Sequence, residues 1–215
     1  MDKFTEGIAF IMEGKTEKVF YISFLDYICA SNPDIEFVKG ISEDGDIYFV
    51  WSSLTKRIII KIFVVGTISQ ITNSGSWFAN KCSKKIRVPW SVYLCYDTDS
   101  STADISKFYE GDWKLLRTAL KKAHADNIID LAASADIEDI MLYDIEGICK
   151  FLRIPVLREI PGRKGKAKMK MLYRSCGLTY HEAERALPLI ESLDFNKIME
   201  KGPIDLKGLK AHLLE

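Results

Sequence analysis

The segment "GIAFIMEGKTEKVFYISFLDYICA", residues 7–30, joins two patterns of different period. Its first part, "GIAFIMEG", is an apolar run that stops at Glu13, and this run predicts a buried β-strand. In the second part apolar residues recur three or four positions apart and Thr16 is a candidate N-terminal cap, which predicts an α-helix. A buried strand that leads directly into a helix is typical of an α/β fold.

The rest of the chain continues the alternation of strands and helices. Apolar runs predict strands in "KRIIIKIFVVG" (56–66), "VYLCYDTDS" (92–100) and "NIIDLAAS" (127–134). Helical spacing predicts helices in "TISQITNSGSWFANKCSKK" (67–85, broken near "NSGS"), "DWKLLRTALKKAHA" (112–125, capped by Asp112), "IEDIMLYDIEGICKFLR" (137–153), "LTYHEAERALPLIESLD" (178–194) and "DLKGLKAHLL" (205–214). This alternation predicts a mostly parallel, Rossmann-like sheet flanked by helices, in which ligands bind beyond the carboxyl ends of the strands.

The alternation is interrupted at two places. Residues 33–57 are rich in turn formers and contain only short strand-like patches, so we expect a loop or a small insertion there. From Pro155 the chain continues as a basic loop, "REIPGRKGKAKMK", and then as helices. We therefore expect one α/β domain over residues 1–154 and a C-terminal helical extension over residues 155–215 that packs on the same domain.

Composition gives little indication of a partner. Thirty basic and thirty acidic residues cancel, so any contact with nucleic acid or a membrane must be made by a local patch. The five cysteines form no CxxC pair, which indicates reduced thiols in a cytoplasmic protein. The N-terminus has no basic leader before a long apolar core, and the longest apolar run is too short and too charged to span a bilayer. We expect a soluble, cytoplasmic protein.

Two aspartates end the third predicted strand. Asp97 and Asp99 are two positions apart, so on a strand they point the same way and repel each other unless a cation or a shared proton lies between them. Glu13 ends the first strand, and carboxylates at neighbouring strand ends form an oxygen-rich cage that suits Mg²⁺ or Mn²⁺. The alternatives are a solvated turn at the aspartates and an exposed loop acid at Glu13.

These strand ends resemble the signature of the TOPRIM domain, which topoisomerases, DnaG-type primases and several nuclease families share. The signature is an apolar strand ending in Glu-Gly and a later strand ending in Asp-x-Asp, here "IAFIMEG" and "VYLCYDTD". The form "EGKTEKVF" and the later segments "ADIEDIMLYDIEGICKFL" and "GRKGKAKMKMLY…ESLDFNKI" are similar to stand-alone TOPRIM proteins of bacterial defence loci, the RloB-like and abortive-infection group related to OLD-family nucleases. The resemblance spans residues 6–198 and implies a TOPRIM-like fold.

The resemblance implies a nuclease that uses Mg²⁺ or Mn²⁺ to hydrolyse phosphodiester bonds of DNA or RNA in anti-phage defence. It also admits a separate ATPase or another defence protein as a partner. The gap between Glu13 and Asp97 is long for a compact TOPRIM domain, and serines follow Asp99 where many relatives carry a glycine. The implied catalytic residues are Glu13, Glu17, Asp97, Asp99 and Asp139. The implied metal ligands are Glu13, Asp97, Asp99 and Glu138.

A basic segment follows the predicted domain. Residues 163–174, "RKGKAKMKMLYR", contain six Lys or Arg and no acid. Such a segment is either a solvated positive face or, beside a metal site, a surface for sequence-independent contacts with a sugar-phosphate backbone. Tyr173 is a candidate for stacking on a base, although a core position is the simpler interpretation. The predicted nucleic-acid-binding residues are Lys15, Arg163, Lys164, Lys166, Lys168 and Lys170.

Two other functions fit parts of the sequence. One is a TOPRIM-like module without catalytic activity that binds nucleic acid or holds a partner protein. The other is a nucleotide-sugar transferase, because such enzymes bind Mn²⁺ with an Asp-x-Asp motif, but this interpretation leaves "MEGKTE" unexplained. The segment "EGKTE" lacks the upstream glycine of a phosphate-binding P-loop, so we do not expect ATP hydrolysis within this chain.

Overall fold

The computed structural model describes residues 3–66, 71–97, 110–133, 136–157 and 159–215. Within these ranges the chain has an α/β fold with a mixed sheet of six strands flanked by helices. The strands are β1 (Glu6–Met12), β2 (Glu36–Ile41), β3 (Ile47–Ser52), β4 (Arg57–Val64), β5 (Trp90–Asp97) and β6 (Asn127–Ala133). The helices are α1 (Lys15–Ala30), α2 (Ile71–Trp77), α3 (Glu110–Lys122), α4 (Ile137–Met141), α5 (Ile145–Leu152), α6 (Gly165–Ser175), α7 (Leu187–Glu191), α8 (Phe195–Lys201) and α9 (Leu206–Leu214).

Strand β1 lies inside the sheet, whose order is β2-β3-β4-β1-β5-β6. It pairs in parallel with β4 and β5, so that Met12 at its end lies beside Val64 and Cys95. Residues 8–12 of β1 are completely buried, as expected for a strand that is covered on both faces. Burial on both faces is the reason that an uninterrupted apolar run predicted this strand correctly.

An antiparallel hairpin forms one edge of the sheet and lies inside the predicted insertion at residues 33–57. Strand β2 pairs antiparallel with β3, and β3 pairs antiparallel with β4. The sheet is therefore mixed, because the hairpin adds two antiparallel pairings, β2–β3 and β3–β4, to the parallel pairs around β1. The Asp44 carboxylate in the hairpin turn accepts hydrogen bonds from Lys81 and Lys85, which anchors the hairpin to the segment after α2.

Two helices differ from their predicted bounds. The segment "NSGS" does not break the second helix: α2 runs through it and continues as a π-helical turn, Phe78–Ser83. Helix α3 begins at Glu110, ahead of the predicted cap Asp112. In both cases local composition gave the wrong boundary, because turn-forming residues are tolerated inside a helix that packs on the rest of the protein.

Further differences concern the segments after β6. Instead of the helix predicted over residues 178–194, the chain forms a 3₁₀ turn, Ala183–Ala186, followed by α7. The helix predicted over residues 137–153 is divided by a 3₁₀ turn, Leu142–Asp144, because the Asp144 carboxylate caps a new helix, α5, by accepting the Gly147 N–H. The predicted basic loop is helical from Gly165 onward, as helix α6. The last two differences bear directly on the candidate site.

The chain divides into two compact units, each assembled from separate segments. Unit 1 contains the described residues of 1–13, 25–95 and 106–130, and unit 2 contains those of 14–24, 96–105 and 131–215. In unit 1 the ring of Phe78 packs edge-on against Trp90, and in unit 2 Phe20 and Phe24 pack against Phe195. The predicted domain boundary at residues 154–155 stays a prediction. None of the described helices is long and apolar enough to cross a membrane.

Candidate functional site

Two of the acids predicted to bind a metal, Glu13 and Asp97, lie at strand ends. Glu13 follows β1, and its N–H donates to the Cys95 carbonyl (2.9 Å) while its carbonyl accepts the Gly66 N–H (2.8 Å). Asp97 is the half-buried last residue of β5, and Asp99 lies outside the described residues. Among the described residues no group of three or more His, Cys, Asp or Glu could hold a metal ion. Because Asp99 is not among them, the Mg²⁺ or Mn²⁺ site stays a prediction.

Two polar residues of "EGKTE", at the start of α1, make contacts within the protein. Glu17 is buried and its side chain folds back against Gly14, where an added Cβ atom would lie 2.7 Å from Oε2. A glutamate that turns back in this way is arranged as in a capping box. The Thr16 hydroxyl accepts the Ala183 N–H at 3.1 Å, and Lys15 is exposed. The catalytic role of Glu17 and the nucleic-acid contact of Lys15 stay predictions.

Helices α4 and α6 meet at one buried carboxylate, Asp136. Its Oδ1 accepts the Asp139 N–H (2.9 Å) in the first turn of α4, and its Oδ2 accepts the Lys166 N–H (3.1 Å) in the first turn of α6. Burial raises the pKa of Asp136, and the two N–H donors act in the opposite direction. One side chain thus caps two helices. This role of Asp136 was not predicted from the sequence, although an aspartate directly before "IEDIM" is a cap signal.

The two helix starts approach so closely that Gly165 has no room for a side chain. A Cβ atom at Gly165 would overlap the backbone nitrogen of Asp139 and the carboxylate of Asp136. Only glycine allows such a close approach of two backbones. The glycine in "RKGKAK" therefore marks a helix–helix contact and not the loop that the composition predicted.

Glu138 is a buried acid with one hydrogen-bond donor from a distant part of the chain. Its side chain is 3% exposed, and its Oε1 accepts the Tyr180 O–H at 2.9 Å. Burial, followed by the charge of Asp136, raises the pKa of Glu138 to about 7. Burial also raises the pKa of Tyr180, so its hydroxyl stays protonated and donates. Tyr173, the candidate for base stacking, packs edge-on against Tyr180 with ring centroids 5.3 Å apart.

Replacing Glu138 with glutamine is expected to change how stability depends on pH. Since folding raises the pKa of Glu138 from 4.5 to about 7, the folded state binds more protons than the unfolded state between these values, and stability falls as pH rises through this window. Glutamine stays neutral and its amide oxygen can accept the Tyr180 O–H. The free energy of unfolding of Glu138→Gln, relative to the natural protein, should therefore rise between pH 5 and 8 by roughly 2–3 kcal/mol.

Urea denaturation at pH 5, 6.5 and 8 measures this difference. The control is Glu191→Gln, which removes an exposed carboxylate at the end of α7 in the same unit and should leave the pH dependence of stability unchanged. A Glu138→Gln curve that runs parallel to that of the natural protein would contradict the raised pKa.

Asp139, the neighbour of Glu138 in sequence, faces a pocket instead of the core. The Lys168 Nζ lies 3.3 Å from Asp139 Oδ1. Both line a pocket of about 380 Å³, together with Leu142, Tyr143 and Arg163. The pocket thus combines two cations, one carboxylate and an aromatic ring. Glu138 and Asp139 have these different surroundings because consecutive helical residues point in different directions.

Helix α6 arranges the basic segment into a stripe. Gly165, Met169 and Leu172 are its buried residues, and Lys166, Lys170 and Arg174 recur every fourth residue on the opposite side. We call these three residues the basic stripe. Lys166 pairs with Glu182 at 2.7 Å, Lys170 and Arg174 are exposed, and so is Arg163 before the helix. Lys164 is the N-terminal cap residue of α6 and half-buried.

Comparisons with known proteins give only distant similarity. No protein-family model matches the chain, and no curated protein matches it. Among solved structures, futalosine hydrolase of Helicobacter pylori strain 26695 is 10% identical, covers 93% of this chain and 97% of its own, and has a TM-score of 0.28. The 5'-methylthioadenosine/S-adenosyl homocysteine nucleosidase of Campylobacter jejuni is 12% identical, with coverages of 88% and 100% and a TM-score of 0.28. That of Helicobacter pylori is 10% identical, with coverages of 92% and 97% and a TM-score of 0.29.

These findings correct the identification made from the sequence. The similar solved structures are nucleosidases, and no family model supports a TOPRIM domain. The TOPRIM resemblance is therefore wrong, and with it the metal-dependent nuclease, the TOPRIM module and the role in anti-phage defence. The physical reason is that an apolar strand followed by acidic residues arises in many α/β sheets, because parallel strands are buried and end at a polar edge. At these TM-scores the nucleosidases give no argument about the activity of this chain.

Proposed function

We propose that unit 2 binds the sugar-phosphate backbone of a nucleic acid through helix α6 and the pocket beside it. The observation that carries the proposal is the basic stripe. Its three cations follow one side of a single helix, and a helix places every fourth residue about 6 Å further along its axis. Phosphate contacts from such a row do not read the base sequence.

The charges of the stripe are accessible to a ligand. Lys170 and Arg174 are exposed. The pair between Lys166 and Glu182 is also exposed, with both side chains about two-fifths accessible (42% and 43%). Exposed ion pairs contribute only about 0–1 kcal/mol, so a phosphate can replace Glu182 as the partner of Lys166 at little cost.

The pocket adds a second point of contact. Arg163 and Lys168 both line it, and a guanidinium group binds phosphate with two parallel hydrogen bonds. Tyr143 is 36% exposed at the same pocket, and an accessible aromatic ring can stack on a base without reading its identity. Asp139 holds Lys168 in place at 3.3 Å and limits the net positive charge of the pocket.

Reversing two charges of the stripe is expected to weaken binding of single-stranded DNA and RNA. The variant Lys170→Glu/Arg174→Glu should reduce the affinity at least about tenfold at low salt, and it should lower the slope of log K against log salt concentration by roughly 1.4, or 0.7 for each lost contact. Fluorescence anisotropy with labelled DNA and RNA oligonucleotides, titrated at several salt concentrations, measures both quantities.

The matched control is Lys114→Glu/Lys207→Glu, which makes the same change in net charge at exposed residues of α3 and α9. This control should bind the oligonucleotides with nearly the same slope of log K against log salt concentration as the natural protein. The proposal is wrong if the natural protein shows no salt-dependent binding to either oligonucleotide. It is equally wrong if the control loses as much affinity as the stripe variant, since the effect is then one of net charge.

A further inference from the structure

We propose that unit 1 contains a separate binding site for a small organic phosphate, in a cleft beside the start of β5. The cleft has a volume of about 710 Å³, which lies in the range of about 300–1,000 Å³ that is usual for small-molecule sites. The segment that enters β5 and the connection between α3 and β6 form its walls. None of its lining residues belongs to α6 or to the pocket beside α6, so this site does not depend on the proposed nucleic-acid binding.

One wall of the cleft is fixed by hydrogen bonds that involve Trp90 and Asp126. The Asp126 carboxylate accepts the Trp90 N–H at 2.8 Å, and the Asp126 N–H donates to the Trp90 carbonyl at 2.9 Å. The Trp90 indole N–H donates to the Ile86 carbonyl at 3.0 Å. Gly7 of β1 leaves room for this indole, because an added Cβ atom would lie 2.5 Å from the ring. A wall fixed in this way loses little freedom when a ligand binds.

The charges that line the cleft favour an anion. Lys84, Arg87 and His124 are exposed there. Asp126 is the one carboxylate among the described lining residues, and one of its oxygens already accepts the Trp90 N–H. Arginine and lysine together are the usual ligands of a phosphate group. Val88 and Pro89 line the same cleft and offer apolar surface to the uncharged part of an organic phosphate.

His124 occupies a backbone position that favours glycine. Its φ angle is 62°, in the left-handed region, and it lies just beyond the end of α3, where glycine is the usual residue. The Ala125 N–H donates to the Leu120 carbonyl at 3.0 Å, so backbone hydrogen bonds alone cap the C-terminus of α3. A side chain kept at a strained position beside a cleft is a feature of ligand-binding sites.

The test compares adenosine 5'-monophosphate, ribose 5-phosphate and inorganic phosphate by isothermal titration calorimetry. The natural protein should bind the two organic phosphates more tightly than inorganic phosphate, and Lys84→Ala/Arg87→Ala should weaken this binding at least about tenfold. The control Lys121→Ala/Lys122→Ala removes equal charge from the last turn of α3, outside the cleft, and should bind as the natural protein does.

A second variant tests the histidine separately. His124→Gly should raise the melting temperature, because glycine relieves the backbone strain, and should still weaken binding by about threefold to tenfold. The proposal is overturned if neither organic phosphate binds at about 10 mM, if inorganic phosphate binds as tightly as they do, or if the control pair loses as much affinity. The stripe variant Lys170→Glu/Arg174→Glu should keep this site intact, which separates failure of this proposal from failure of the proposed function.

Discussion

Gly165→Ala is expected to reduce the free energy of unfolding of unit 2 by about 3–5 kcal/mol, because overpacking and loss of a cap act together. The added methyl group would overlap the backbone nitrogen of Asp139 and the carboxylate of Asp136. The Asp139 nitrogen belongs to the backbone, and the Asp136 carboxylate can turn away only by giving up the two N–H groups that it accepts. Relief requires α6 to move from α4, and the Asp136 carboxylate then loses the Lys166 N–H that it accepts at 3.1 Å.

Hydrogen exchange of the backbone amides, followed by mass spectrometry, locates the effect. Segments 136–141 and 165–175 should exchange faster in Gly165→Ala, whereas tryptophan fluorescence should change little, since all four tryptophans belong to unit 1. Gly75→Ala is the matched control. Its methyl group would lie 3.2 Å from the Ala119 Cβ, so better helix propensity offsets mild crowding, and we expect a change below about 1 kcal/mol. If Gly165→Ala is as stable as the natural protein, α4 and α6 do not meet as described.

Asp144→Ala is expected to lower the free energy of unfolding by about 3–4 kcal/mol, because it leaves buried donors without an acceptor. Asp144 is 1% exposed. Its carboxylate accepts the Gly147 N–H (3.1 Å) at the start of α5, the Asp194 N–H (2.8 Å) ahead of α8, and a contact from the Lys197 ammonium (3.4 Å). Alanine removes all three, so α5 loses its cap and α8 loses its tie to the turn before α5.

Urea denaturation of Asp144→Ala, Asp144→Asn and Asp194→Ala distinguishes a buried cap from an exposed one. Asparagine keeps an acceptor oxygen and should recover part of the loss. Asp194 caps α8 with an exposed side chain, and its replacement should cost only about 1 kcal/mol. If Asp144→Ala and Asp194→Ala lower the free energy of unfolding equally, the structural role of Asp144 is contradicted.

The Gly165→Ala variant also bears on the proposed function. Asp136 and Gly165 fix the first turn of α6, and this turn sets the direction of the basic stripe. A loss of nucleic-acid binding in Gly165→Ala would therefore follow from movement of the helix, whereas a loss in Lys170→Glu/Arg174→Glu follows from charge alone. Comparing the two variants separates the orientation of the stripe from its electrostatic attraction.

The sequence predicted the regular elements well where a single physical cause dominates. Strand β1 is apolar from Ile8 to Met12 because it is buried on both faces, and α1 was predicted with the bounds that the structure has, residues 15–30. The prediction failed where the local composition and the tertiary packing favour different conformations. The lysines of "RKGKAKMK" predicted a loop, but Met169 and Leu172 of the same segment are buried and hold it as a helix.

The candidate site was predicted less completely than the fold. The resemblance implied Glu138 as a metal ligand and Asp139 as a catalytic residue. In the structure Glu138 accepts the Tyr180 O–H, Asp139 lines a pocket, and Asp136, which was not predicted to have a role, caps two helices. Tyr180 was missed because it lies 42 residues from its partner. No local pattern marks a tyrosine whose hydroxyl will meet a buried carboxylate.

Local sequence was sufficient for β1, α1 and the basic character of residues 163–174, because hydrophobic period, capping and charge act between near neighbours in the chain. The mixed sheet, the two caps at Asp136 and Asp144, and the burial of Glu138 required the folded protein. Each depends on contacts between groups that are distant in sequence, and only packing brings such groups together. The same packing places four of the six basic residues of this segment on a helix, three of them as the basic stripe.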